Sequence, residues 1–189
     1  AHRPEAGARC CFAPMTDAPL PVSPQPAALA RQLRRLATLP SPPWLHGEVA
    51  RRLADKLGPI RIEPAHWVDW SAWLGAGVDP VAARYPEARR WVIEPTPALS
   101  IRSTDAWQAS HASPWWARWR RTTPPVITMD ALHPEGWPVD GVQMVWANMT
   151  LHAAADLPGL LAHWHGLLDT NGFLMCSGLG PDTARELRD

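Results

Sequence analysis

Three acidic residues stand at or near the ends of three successive apolar runs, a spacing that can serve a nucleotide-bearing ligand. Asp69 lies in WVDW (67–70) and is followed by SAWLGAG; Glu94 closes RWVIE (90–94); Asp130 and Ala131 follow VITM (126–129). A fourth run, VQMVWA (142–147), ends at Asn148. If these runs are parallel strands, the polar residues gather at the carboxyl edge of one sheet, where ligands of open α/β sheets bind. An acid after the second strand can accept from both hydroxyls of a ribose, and one after the third from an adenine amino group. Each acid alone is also an ordinary solvated loop residue; their succession is what points to a site. Gly75 and Gly77 close the first loop, which otherwise carries Trp70 and Trp73 where a nucleotide loop favours bare backbone.

The elements that must position these residues are legible as patterns. A leader (1–27) without periodicity, rich in proline after Met15, is expected to be disordered, with Met15 as a candidate natural start. It lacks the apolar core of a signal peptide. Two helices are expected next, at 28–39, with Leu29, Leu33 and Leu36 on one face and Arg31, Arg34 and Arg35 opposite, and at 44–57. Together they form an N-terminal helical segment (28–58), and the remainder (59–189) alternates strands with helices. Strands are expected at 67–70, 90–94, 126–129, 142–147 and 172–177, with helices at 78–85, 97–104 and 157–168. The stretch 105–125, containing WWARWRR, reads as an irregular Trp- and Arg-rich insertion.

Composition narrows the classes. The 189 residues suit one domain with a sizeable core, and 18 basic residues balance 18 acidic ones, so no global charge draws the chain to nucleic acid or membrane. No apolar run reaches the ~20 residues of a membrane span. The cysteines (Cys10, Cys11, Cys176) form no disulfide or zinc pattern, and a cytoplasmic setting is expected. Twelve tryptophans against two phenylalanines and one tyrosine read as core filling, with base stacking or cation–π recognition as the functional alternative.

The segment VQMVWANMTLHAAADLPGLLAHWHGLLDTNGFLMCSGLGPDTARELR (142–188), its ending SGLGPDTARELR (177–188) above all, and RYPEA (84–88) ahead of an acid-ended strand resemble class I S-adenosylmethionine-dependent methyltransferases. More narrowly, the chain is similar to the malonyl-acyl-carrier-protein O-methyltransferases of biotin biosynthesis. The resemblance implies an α/β, Rossmann-like, mostly parallel sheet between two helical layers. It implies S-adenosylmethionine as cofactor, with Glu94 on the ribose, Asp130 and Ala131 on the adenine, and Asp69, Gly75 and Gly77 in what remains of the glycine loop. Asn148 and His152 would border the methyl-transfer pocket, with Asn148 also near cofactor, and acyl carrier protein would present the acceptor. Two departures stand out. Ser71 and Trp73 replace the first two glycines of the family loop on one register, and the two final strands of the family fold are missing after 177, so a fragment of a longer reading frame is expected. The altered loop keeps a second reading open: a catalytically inactive methyltransferase-like paralogue that binds a protein partner.

Weaker signals remain. His163 and His165 lie two apart on a helix and make a poor metal pair. His133, just past Asp130, is either pocket-lining or solvated. Arginines cluster at 31–35, 51–52 and 118–121, and an arginine patch near the pocket mouth would suit an acidic carrier protein as well as plain solvent.

Overall fold

The structure, a computed structural model, describes residues 25–110, 126–128, 137–180 and 183. Five strands, β1 (His66–Trp70), β2 (Arg89–Glu94), β3 (Val126–Thr128), β4 (Val142–Ala147) and β5 (Leu168–Cys176), form one sheet in the order β3-β2-β1-β4-β5. Every pairing is parallel. Around it lie α1 (Pro26–Ala37), α2 (Trp44–Asp55), α3 (Ala72–Gly75), α4 (Val78–Arg84), α5 (Pro97–Ser110) and α6 (Leu157–Leu167). This is the expected α/β, Rossmann-like sheet. No described helix is long and apolar enough to cross a membrane.

Period-two alternation sends the strand side chains to two cores. Val68, Trp70, Trp91, Ile93 and Val145 pack on one face with Trp164 and Leu167 of α6. On the other, Trp67, Met144 and Trp146 meet Ala50 and Leu57 of the α2 region and Val81 and Tyr85 at α4. The fully buried indoles Trp67, Trp91, Trp146 and Trp164 supply much of this volume, so tryptophan fills these cores as the composition reading expected.

Three elements differ from expectation. The loop after β1 contains a helical turn, α3, because Ser71 and Ala76 adopt left-handed φ values of 54° and 49° that bracket it. α5 continues through Ser110 instead of giving way to an irregular insertion at 105, and the Arg90 guanidinium lies 5.7 Å from the Trp107 ring, tying that added turn to β2. β5 begins at Leu168 rather than 172. Asn171-Gly172 looks like a turn, yet the strand absorbs it in a register shift, with Val142 opposite Leu168 and Met144 opposite Phe173.

Candidate functional site

In this strand order β2 and β4 flank β1 on opposite sides, so the chain reverses its direction of travel across the sheet between β1 and β4. That switch point opens a crevice at the carboxyl ends. The loop 71–77 and Asn148 meet there. The Ser71 N–H donates to the Ile93 carbonyl (2.7 Å), pinning the loop to β2 as well. The Trp73 indole is buried with Leu74 and Leu99, flanked by Leu33, Leu36, Ala37 and Leu39, with the Arg102 guanidinium 4.9 Å over the ring. What Trp73 contributes to the site is its backbone N–H.

That N–H donates to Oε1 of Glu94 (2.8 Å), and the Ser103 hydroxyl of α5 donates to the same oxygen. Glu94 is 0% exposed, and Oε2 has no hydrogen-bond partner among the described residues. Burial drives its carboxyl up to about 7, with Asp69 adding to the rise, while Ser103, the Trp73 N–H and Arg90 oppose it. Asp69 lies on the same face of the sheet and is committed to Arg90, whose Nη2 and Nε donate to Oδ2 at 2.6 and 3.0 Å. Burial still pushes the Asp69 carboxyl above its ordinary range, against the pull of Arg90.

Asn148, 2% exposed, joins three segments. Its Nδ2 donates to the carbonyls of His46 (2.8 Å) and Gly75 (2.7 Å), and its Oδ1 accepts from the Ser177 hydroxyl (2.7 Å). The His46 ring in turn bonds the Leu74 carbonyl through Nδ1 (2.7 Å), so that nitrogen carries the hydrogen. His152, in a 3₁₀ turn (Leu151–Ala153), accepts a long bond from the Leu179 N–H at Nδ1 (3.5 Å). Partial burial, with the neighbouring His46, holds His152 below the usual imidazole range.

The two loop glycines have separate jobs. A Cβ on Gly77 would lie 2.1 Å from Trp146 Nε1, so the absent side chain makes room for an indole. At Gly75 a Cβ would meet only ordinary contacts, the nearest 3.7 Å away at the Asn148 carbonyl oxygen. Asp69, Gly75, Glu94 and Asn148 are thus gathered at or beside the carboxyl ends of the three central strands, and His152 follows Asn148. Asp130, Ala131 and His133 lie outside the described residues. His46, Ser103 and Ser177 belong to this network and had not been singled out in the sequence. Of these, Ser177 left a trace there, as the first residue of SGLGPDTARELR (177–188).

No family model matches the chain. Among curated proteins it is 33% identical over 147 residues to a malonyl-acyl-carrier-protein O-methyltransferase of Gallionella capsiferriformans, covering 76% of this chain and 48% of that protein. Relatives of the same name from Halorhodospira halophila and Laribacter hongkongensis are each 31% identical, over 76% and 82% of this chain and 45% and 51% of their own length. The chain spans about half the length of these curated relatives. With a parallel sheet whose order reverses between β1 and β4, and a buried acid closing β2, the chain is a relative of the malonyl-acyl-carrier-protein O-methyltransferases, a class I S-adenosylmethionine-dependent methyltransferase family.

Proposed function

We propose that this protein is an S-adenosylmethionine-dependent O-methyltransferase that esterifies the free carboxylate of a malonyl group carried on acyl carrier protein, as its named relatives do. The observation carrying this reading is Glu94: a buried carboxylate at the end of β2 with one oxygen fixed by protein donors and the other without a partner among the described residues. A buried acceptor left bare is costly, and ribose hydroxyls would satisfy it. Trp73 supports the same reading, because its indole packs among α1 and α5 while its backbone N–H holds Glu94.

When bound, the cofactor's sulfonium supplies an electrophilic methyl group. The protein's task is then alignment, since an acceptor carboxylate is already ionised at neutral pH (ordinary value about 4) and needs no base. Asp130 and Ala131 are proposed to hold the adenine. Asp69 is tied to Arg90 of β2 at the start of the loop, and Gly75 and Gly77 shape the loop. Asn148 acts as a positioning residue that holds the Gly75 end of the loop, the start of α2 and the end of β5 in one arrangement. His152 has Nδ1 occupied as an acceptor, so its neutral ring carries Nε2–H, a donor suited to the acceptor carboxylate.

The test is calorimetric titration of the full chain with S-adenosylhomocysteine, followed by transfer of labelled methyl to malonyl-acyl carrier protein. Micromolar affinity, roughly −8 kcal/mol, lost in Glu94→Gln, together with transfer, is the expected result. A folded protein that gives no heat at saturating ligand would sink the reading and leave the protein-binding paralogue.

A further inference from the structure

The arginine clusters are not equivalent. On α2, Glu48 pairs with both Arg51 (2.9 Å) and Arg52 (2.6 Å), and Asp55 also approaches Arg51, so that surface is neutralised internally. On α1, Arg31, Arg34 and Arg35 are exposed, the helix PAALARQLRRLA has no acid, and none of the three pairs with a carboxylate among the described residues. At about 100° per residue these three fall within an arc of about 100°, opposite Leu29, Leu33 and Leu36, and span about 6 Å along the axis.

The apolar face of α1 is already used. Leu33, Leu36 and Leu39 pack on Trp73, Leu74 and Leu99, and Arg102 Nη2 donates to the carbonyls of Leu39 (2.5 Å) and Pro40 (3.1 Å). A basic amphipathic helix can lie on a membrane by burying its apolar face in lipid, but here Leu33 and Leu36 of that face are partly buried against protein. The charged side remains, on a helix whose opposite side packs against the loop that follows β1. Past the six-residue link 38–43, Trp44 is 80% exposed two residues before His46, adding an aromatic element of the kind that anchors interfaces.

We propose that the Arg31, Arg34 and Arg35 face of α1 is the docking surface for the acidic acyl carrier protein. This rests on the function proposed above and adds where the carrier sits. Complementary charge fits it: an acidic partner finds three cations unpaired among the described residues, on a helix that packs against the loop after β1. An acyl group on a flexible arm reaches a site from a rim, so the carrier body need not cover the pocket.

The test compares the full chain with its R31E/R34E/R35E variant in two assays. In the first, fluorescence anisotropy of labelled malonyl-acyl carrier protein reads binding directly. The parent is expected to bind, weakening as salt rises, and the variant to bind at least about 10-fold more weakly with a flattened salt dependence. In the second, methyl transfer to malonyl-acyl carrier protein is compared with transfer to malonyl-coenzyme A. KM should rise for the carrier substrate alone, and R31K/R34K/R35K should restore it. Equal carrier binding by parent and variant, or an equal KM change for both thioesters, overturns the proposal. So does a parent that ignores the carrier while its arginines bind anionic vesicles. If the parent transfers methyl to neither thioester, the functional reading fails, and anisotropy still decides the surface.

Discussion

Glu94→Gln should stabilise the ligand-free protein at alkaline pH while weakening its hold on cofactor. A carboxyl that titrates at about 7 when folded, against an ordinary 4.5, binds more protons folded than unfolded between those values. Stability is therefore fully present below about 4.5 and is lost as pH rises through about 7, then levels off. At about 1.4 kcal/mol per unit the full loss is about 3.5 kcal/mol. Gln keeps the shape and the oxygen that accepts from Trp73 N–H and Ser103, but it does not ionise. The variant should stay close to the parent near pH 5 and exceed it at pH 8 by most of that ~3.5 kcal/mol.

Urea unfolding at both pH values, followed by tryptophan fluorescence, measures this. The difference between variant and parent isolates Glu94 from Asp69, whose raised carboxyl gives the parent a slope of the same sign. Ligand affinity should move the opposite way. Hydrogen bonds to a charged group are worth about 1.5–3 kcal/mol each, so losing the bare carboxylate oxygen costs about 10- to 100-fold per ribose hydroxyl. A variant with the parent's pH slope would refute the claim that burial raises Glu94. Stabilisation at pH 8 with undiminished cofactor affinity would refute the ribose assignment and leave the burial argument standing.

Four further outcomes follow from the same geometry. Asn148→Ala removes three hydrogen bonds, to two carbonyls and from the Ser177 hydroxyl, and should cost roughly 2–4 kcal/mol in urea unfolding, at about 0.5–1.5 kcal/mol per bond. Gly77→Ala drives a methyl into the Trp146 ring and should cost about 1–3 kcal/mol, with partial recovery in the Gly77→Ala/Trp146→Phe double variant. Ser71→Gly relieves a left-handed φ of 54°; the ~1–2 kcal/mol gained, less ~0.5–1 of chain entropy, should raise the urea midpoint slightly. His152→Ala should raise KM for the acceptor several-fold while leaving S-adenosylhomocysteine affinity unchanged by calorimetry; a loss of cofactor binding instead would remove His152 from the acceptor side.

Local signals carried the sheet. β1, β2 and β4 are short apolar runs bounded by turn residues, and the structure keeps each within a residue of its expected limits. Glu94 was legible through the succession of acids at strand ends rather than by itself, and its complete burial was not. His46 was not legible: it sits on α2 and enters the site through a bond to Asn148, 102 residues away, which no local pattern encodes. The direction of the Trp73 side chain was equally hidden, because it depends on whether α1 and α5 offer an apolar pocket. α3 was missed because its bracketing residues, Ser71 and Ala76, carry left-handed dihedrals that sequence normally announces with glycine.

That last miss bears on what the loop became. A glycine can be needed for its dihedral freedom or for its missing side chain, and the two needs separate here. Where only the dihedral is demanded, at Ser71, a side chain is tolerated at the cost of local strain. Where another atom occupies the Cβ position, at Gly77, glycine remains. Between them Trp73 anchors the turn from behind, and its burial depends on Leu33 and Leu36 of α1. An indole buries about 150–250 Å², so the leucine face of α1 helps keep the Trp73 N–H aimed at Glu94. The helix whose outer side carries Arg31, Arg34 and Arg35 therefore also supports, through its inner side, the donor that fixes the acid beneath it. Tilting α1 would reach Glu94 through one tryptophan, without passing through the sheet.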